Sequence, residues 1–143
     1  MPIYKEKRMK TEDIIRMLEV LRNKHDVKYT KEFQKDLCKL NKHPSIKFIQ
    51  TFSWIFMKKK FDPGKFEVIK DLTREQLEIL GDNKLCRFEY REGKNLRCIF
   101  CVDSGYTDFM LLCAFIEDGS RKKGPDSYAY NISRAIEIYQ MYN

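Results

Sequence analysis

The chain is poor in the residues on which many enzyme active sites depend. It has 143 residues and two histidines, His25 and His43, and it shows no Ser-His-Asp order, no phosphate-binding glycine loop and no cluster of metal ligands. No apolar run approaches the ~20 residues of a membrane helix, and no apolar segment follows the charged N-terminus. We therefore expect one soluble cytoplasmic domain without a secretory signal or a membrane partner.

The cysteines also argue against metal or redox chemistry. Five are present, and an odd number in apolar segments is typical of a reduced cytosolic protein. Cys98 and Cys101 form a CxxC pattern, but both lie in a run that reads as a β-strand. Residues three apart on a strand point to opposite faces, so we expect no metal site and no cofactor.

The charge balance indicates an anionic partner. Lysine and arginine together number 28 against 21 acidic residues, which gives a net charge of +7. A basic surface of this size favours nucleic acid or an acidic protein over a neutral metabolite. The alternative is a solvated basic surface without a specific partner.

Apolar spacing and capping residues predict an α+β protein. Helices are predicted to begin near Thr11, Thr30, Pro44, Thr73 and Pro125, the fourth with a capping box and a glycine stop. Strands are predicted at 85–90, 96–102 and 107–116, with a short extended piece at 26–29. The third strand is apolar on both faces, so it is expected to be central, in a small antiparallel sheet with helices on one face.

Two strand arginines are the first candidates for function. If the hairpin register aligns them, Arg87 and Arg97 project from the same face of the sheet. Glu89 and Glu117 are possible partners of Arg87, whereas Arg97 has fewer obvious ones. Either arginine alone is best explained by an exposed edge or an internal ion pair. Two on one face beside a basic turn favour an anionic polymer as the substrate.

The basic turn and the last helix supply further candidates for RNA chemistry. Arg121, Lys122 and Lys123 crowd the turn, and Tyr128 and Tyr130 begin the helix. RNA can be cleaved by its own 2′-hydroxyl when arginine forks hold the phosphate and a lysine of lowered pKa protonates the leaving oxygen. The tyrosines are suited to stacking on a base, with helix packing as the alternative.

The strand and helix motifs together resemble the RelE/HigB-like toxins of type II toxin–antitoxin systems, within the RelE/ParE superfamily and closest to its phage-derived HigB-like branch. The resemblance covers about residues 26–143 and is most specific over 84–136. It rests on these segments, in this order: Leu85-Cys86-Arg87-Phe88, Leu96-Arg97-Cys98-Ile99-Phe100, Leu111-Leu112-Cys113-Ala114-Phe115, the basic turn with Pro125, and Ser133-Arg134-Ala135.

The resemblance implies a fold, an activity and partners. The implied fold is a helical hairpin packed on a small antiparallel sheet with a C-terminal helix, preceded here by a helical extension at 1–25. The toxin domain is then 26–143, with an insertion at about 62–83. The implied activity is metal-independent cleavage of ribosome-associated mRNA by an endoribonuclease that needs no cofactor. The implied partners are a cognate antitoxin, the ribosome and mRNA.

The resemblance also assigns site residues by position. Arg97 corresponds to the arginine that contacts the scissile phosphate, and Arg87 to the basic residue on the preceding strand. One basic-turn residue corresponds to the basic residue after the last strand, and Tyr128 or Tyr130 to the aromatic residue that follows. Four other basic residues are predicted to contact RNA: Lys84, Arg91, Lys94 and Arg134.

One departure from the family pattern keeps two other functions open. HigB-type members usually carry lysines after the last-strand phenylalanine, whereas Phe115 is followed here by Ile116-Glu117-Asp118. A non-enzymatic ParE-like toxin and a nucleic-acid-binding protein without catalysis are therefore the alternatives. Convergence of Arg87, Arg97 and the basic turn would favour the nuclease.

Overall fold

The computed structural model of the chain describes residues 11–40, 66–90, 96–117 and 127–142. These residues confirm the predicted α+β class. Their helices are α1 (Thr11–His25), α2 (Lys31–Leu40), α3 (Arg74–Leu80) and α4 (Tyr128–Tyr142). Their strands are β1 (Val27–Tyr29), β2 (Phe66–Val68), β3 (Lys84–Tyr90), β4 (Leu96–Val102) and β5 (Phe109–Ile116). The helix predicted to begin near Pro44 lies outside the described residues.

The five strands form one mixed sheet in the order β1-β5-β4-β3-β2. β1 runs parallel to β5, and the other neighbours are antiparallel. The prediction of a purely antiparallel sheet with β5 at its centre is wrong, because β1 pairs with the outer edge of β5 and leaves β4 in the middle. The apolar run of β5 was correctly interpreted as burial on both faces.

Helices cover both faces of the sheet, which corrects the expectation of helices on one face. All seven residues of β4 are buried, so both of its faces need an apolar cover. On one face, α1 and α2 pack against the sheet through a cluster that includes Ile14, Leu18, Phe33, Phe88 and Phe100. On the other face, α3 and α4 contribute to a second cluster that includes Leu80, Ile99, Cys113, Ala135 and Tyr139.

Two helices begin as their capping residues predict. The Phe33 N–H donates to the Thr30 hydroxyl at 3.0 Å at the start of α2. At α3 the capping box is complete, since Gln76 N–H donates to the Thr73 hydroxyl at 3.1 Å and Thr73 N–H donates to the Gln76 side chain at 3.0 Å. Gly81 ends α3 with a φ of 60°, a conformation that glycine adopts without steric cost.

The start of α2 completes the edge of β5 where β1 stops. The Thr30 N–H donates to the Leu111 carbonyl at 3.0 Å, and the Thr30 hydroxyl donates to the Leu112 carbonyl at 2.7 Å. Further along the edge, the Ala114 N–H donates to the carboxylate of Asp36 on α2 at 3.0 Å. The backbone and hydroxyl of Thr30 and the carboxylate of Asp36 thus satisfy backbone groups that an open strand edge would otherwise expose.

The described part of the segment predicted as an insertion, 66–83, supplies both an edge strand and a helix. Strand β2 pairs with β3, and the pairing continues as the Ile69 N–H donates to the Leu85 carbonyl at 2.9 Å. After α3, the Asn83 side-chain amide donates to the Tyr139 hydroxyl on α4 at 2.7 Å. No helix in the described ranges is long and apolar enough to cross a membrane.

Candidate functional site

The register between β3 and β4 confirms that Arg87 and Arg97 share a face of the sheet. Position 89 lies directly opposite Arg97, and Arg87 precedes it by two residues on the same strand. Directly opposed residues share a face, as do residues two apart. Both arginines therefore project toward the side that α4 covers.

Arg97 is held inside the protein by an acidic residue. Its side chain is 7% exposed, and its Nε donates to the Glu117 carboxylate at 3.2 Å. Phe115 lies opposite Arg97 on β5, so Glu117, two residues further, is a diagonal neighbour on the same face. The sequence offered Glu117 to Arg87 as a partner, but the register gives it to Arg97.

Arg87 binds a carboxylate that the sequence interpretation missed. Glu67 on β2 lies directly opposite Arg87, and both Nε and Nη2 of Arg87 donate to Oε2 of Glu67, the Nε bond at 2.8 Å. The pair is open to solvent, with the Arg87 side chain 35% exposed and that of Glu67 63%. Apolar Phe66 and Val68 on either side of Glu67 were the only sequence signal of this three-residue strand.

Of the two candidate tyrosines, Tyr128 is the one that lies beside Arg87. The guanidinium carbon of Arg87 is 5.1 Å from the centre of the Tyr128 ring, a cation–π geometry. The Tyr128 ring also packs edge-to-face against the Phe115 ring, with 5.2 Å between the ring centroids and 88° between the ring planes. Tyr130 is half exposed.

An open groove of about 670 Å³ lies between β2 and the start of α4. The described residues that line it are Phe66, Glu67, Val68, Ile69, Lys70, Asp71, Arg87, Tyr128 and Ile132. Two cations, Arg87 and Lys70, balance two carboxylates, Glu67 and Asp71. The described lining therefore holds as many acidic as basic side chains.

Arg134, which was predicted to contact RNA, forms an ion pair with Asp36 within the protein. Its two Nη atoms donate to both oxygens of Asp36, at 2.7 Å and 2.8 Å. This hydrogen bonding to Asp36 is the main reason that the pKa of Arg134 is raised. The same carboxylate accepts the Ala114 N–H, so Asp36 joins α2, α4 and β5.

Lys84, also predicted to contact RNA, lies away from the two arginines. It pairs with Val102 at the far end of the hairpin, and its alternation along β3 places it on the face opposite Arg87. Its Nζ donates to the Tyr106 hydroxyl at 2.8 Å and lies 4.6 Å from the centre of that ring. The structure thus brings together Arg87, Arg97 and Tyr128 but not Lys84.

The remaining predicted site residues lie outside the described ranges. These are Arg91, Lys94, Arg121, Lys122 and Lys123. Convergence of the basic turn with the strand arginines therefore stays a prediction.

Cys98 and Cys101 lie on opposite faces of the sheet, as their spacing on a strand predicts. Cys98 packs in the cluster on one sheet face and Cys101 in the cluster on the other. Burial raises the pKa of Cys101 to about 12 and that of Cys98 well above its usual range, which leaves both as unreactive thiols. Within the described residues, no three histidine, cysteine or acidic side chains are grouped as metal ligands would be.

Comparison of the chain with protein-family models, with curated proteins and with solved structures gave no match. Membership of the RelE/HigB-like toxins therefore stays a prediction. The geometry around Arg87, Arg97 and Tyr128 is the basis on which a function can be proposed.

Proposed function

We propose that the protein is the toxin of a type II toxin–antitoxin system and cleaves ribosome-associated mRNA. The observation that carries this proposal is the β3–β4 register, because it sets Arg87 and Arg97 on one sheet face beside Tyr128. Two arginines next to an aromatic ring suit a substrate that alternates phosphates and bases. The net charge of +7 favours the same class of substrate.

The proposed chemistry uses the nucleophile that RNA already carries. The 2′-hydroxyl gives its proton to solvent and its oxygen attacks the adjacent phosphorus. The bond to the 5′-oxygen breaks, that oxygen takes up a proton, and the products are a 2′,3′-cyclic phosphate and a 5′-hydroxyl. The protein aligns the phosphate and stabilises the charge that develops on it. In this proposal Arg87 contacts the phosphate directly, and a lysine of the turn, Lys122 or Lys123, protonates the leaving oxygen.

A second candidate function is RNA binding without cleavage, and the position of Arg97 favours it. The Arg97 side chain is 7% exposed and bound to Glu117, so its contact with a phosphate requires Glu117 to release it. If Glu117 does not release Arg97, RNA contacts Arg87 but not Arg97, and Arg87 must itself exchange Glu67 for the phosphate. Such a site binds a backbone phosphate but stabilises less of the charge that develops during cleavage.

Induction in bacteria, with growth recorded and mRNA 5′ ends mapped, distinguishes these functions. The wild-type chain should arrest growth and create new mRNA ends, and Arg87→Ala should lose both effects. The control is Arg74→Ala, since Arg74 is a 95% exposed arginine on α3 that also pairs with a glutamate. It should behave as the wild type.

Two other outcomes would indicate a function other than mRNA cleavage. Growth arrest without new mRNA ends would indicate a protein target, as for a ParE-like toxin. A soluble wild-type protein that binds RNA but neither arrests growth nor cleaves mRNA would support the binding function and contradict the nuclease.

A further inference from the structure

We infer that the groove between β2 and α4 contains a phosphate-binding position that Glu67 occupies in the free protein. An incoming RNA phosphate displaces the Glu67 carboxylate from Arg87 and takes its place. This inference rests on the proposed function, because it describes how the substrate reaches the arginine that we assign to it. It adds a competitor inside the protein, the Glu67 carboxylate, which weakens RNA binding modestly.

The hydrogen bonding of Arg87 is the first support. Its Nε and Nη2 atoms both donate to one oxygen of Glu67. A guanidinium presents these donors to a carboxylate and to a phosphate in a similar geometry. Glu67 therefore stands where a phosphate oxygen would bind.

The exposure of the pair makes the exchange feasible. The Glu67 side chain is 63% exposed and lies on β2, a three-residue strand that pairs with β3 on one side. A carboxylate in this position can turn into water without being buried elsewhere. Solvent-exposed ion pairs of this kind contribute little free energy, so a phosphate has little to overcome.

Arg87 keeps its position when Glu67 leaves. It lies on β3, which pairs with strands on both sides, and its guanidinium packs over the Tyr128 ring at 5.1 Å. Tyr128 is itself held by the edge-on contact with Phe115. The cation therefore stays directed at the groove, where the lining also holds Lys70 as a second cation and Asp71 as the remaining carboxylate.

The dimensions of the groove suit a nucleotide unit of RNA. Its volume of about 670 Å³ falls within the range of about 300–1,000 Å³ of sites that take small organic ligands. The lining combines the charged residues with the apolar side chains of Val68 and Ile132 and with an aromatic ring. A phosphate at Arg87 leaves room beside it for a base or a ribose.

The test is the affinity of a 2′-O-methyl RNA hexamer, which binds as RNA does but has no 2′-hydroxyl with which to be cleaved. Glu67→Gln removes the competing charge and keeps the side-chain size. We expect it to bind the hexamer about fivefold more tightly than the wild type, a difference of about 1 kcal/mol. The double variant Glu67→Gln/Arg87→Gln should bind the hexamer no more tightly than Arg87→Gln alone.

The matched control is Glu78→Gln. Glu78 is a 71% exposed glutamate on α3 that pairs with Arg74 and is not among the described lining residues of the groove. It changes the net charge by the same amount and should leave the affinity nearly unchanged. An equal gain in both variants, or an unchanged or weaker affinity in Glu67→Gln, would overturn the inference.

Two further arms separate this inference from the proposed function. If Glu67→Gln binds the hexamer more tightly while the wild type cleaves no RNA, the phosphate position stands and the nuclease fails. If the wild type cleaves RNA and Glu67→Gln shows no gain, the inference fails alone. A gain for inorganic phosphate but not for the hexamer would assign the position to a small phosphate-bearing ligand and overturn its role in RNA binding.

Discussion

Two arginine–carboxylate pairs contact α4, and they differ in how far water reaches them. Arg134 on α4 binds Asp36 through both carboxylate oxygens, and the Asp36 side chain is 10% exposed. Arg87, which packs on Tyr128 at the start of α4, binds one oxygen of Glu67, which is 63% exposed. We call these the closed pair and the open pair.

The comparison shows that the same two chemical groups can form a partly buried, multiply bonded contact in one place and a solvent-exposed contact in another. In the closed pair, Asp36 also accepts the Ala114 N–H, so replacing it would leave both a cation and a backbone donor of β5 without their acceptor. In the open pair, water can solvate either partner. Burial and additional hydrogen bonds, rather than residue type, distinguish the two arginines, and on this ground we propose Arg87 and not Arg134 as the RNA contact.

The largest expected change in the free energy of unfolding comes from removing the carboxylate of the closed pair. Asp36→Ala should lower the free energy of unfolding by about 3 kcal/mol, because it leaves the Arg134 guanidinium, which is 29% exposed, and the Ala114 N–H without their acceptor. Glu67→Ala, the same change in the open pair, should lower it by at most about 1 kcal/mol. Urea denaturation followed by circular dichroism measures both, and equal losses would remove the distinction between the pairs.

Arg97 and Glu117 provide a case between these two. The Arg97 side chain is 7% exposed and that of Glu117 is 28% exposed, values close to those of Asp36 and Arg134 in the closed pair. Asp36 also accepts the Ala114 N–H, so its loss should cost more. Arg97→Ala should therefore lower the free energy of unfolding by about 2–3 kcal/mol. A loss below about 1 kcal/mol in the same denaturation experiment would show that Arg97 behaves as a surface residue.

The ranking for RNA affinity should be the reverse of the ranking for stability, with the larger effect at Arg87 and the smaller at Arg134. Arg87→Gln should weaken binding of a 2′-O-methyl hexamer about tenfold and reduce the salt slope of log K by about 0.7, the value for one phosphate contact on a single strand. Arg134→Gln should leave the slope unchanged, because Asp36 already holds that guanidinium. Fluorescence anisotropy at several salt concentrations measures both, and a larger slope change for Arg134→Gln would reverse the assignment.

The smallest expected effect is on RNA affinity, after replacing either of the two tyrosines Tyr128 and Tyr130. Tyr128→Leu removes the ring on which Arg87 packs and should weaken hexamer binding about threefold, in line with a partly exposed cation–π contact. Tyr130→Leu should have no measurable effect, since Tyr130 is not among the described residues of the groove. A loss of affinity confined to Tyr130→Leu would place the RNA elsewhere on α4.

Local patterns predicted much of the fold. Strand β4 was predicted with its observed bounds, and the capping box at Thr73 and the stop at Gly81 were predicted from residues within one turn of the helix end. The shared face of Arg87 and Arg97 followed from strand alternation and the hairpin. Each of these features depends on residues close together in sequence.

The partners of the arginines could not be predicted, because they come from pairings between distant segments. Arg134 and Asp36 are 98 positions apart, and no pattern along either helix shows that the helices meet across the edge of β5. Glu67 was missed because a strand of three residues has too little alternation to be recognised. The sequence therefore located the cations, and the sheet topology determined which of them stays open.

The most direct test of the account is the chemical nature of the ends that the purified protein leaves on ribosome-bound mRNA in the presence of EDTA. We predict a 2′,3′-cyclic phosphate and a 5′-hydroxyl, lost in Arg87→Ala and retained in Glu78→Gln. Ends with a 3′-hydroxyl and a 5′-phosphate, or cleavage of an mRNA that carries a 2′-O-methyl group at the cleaved position, would contradict the account.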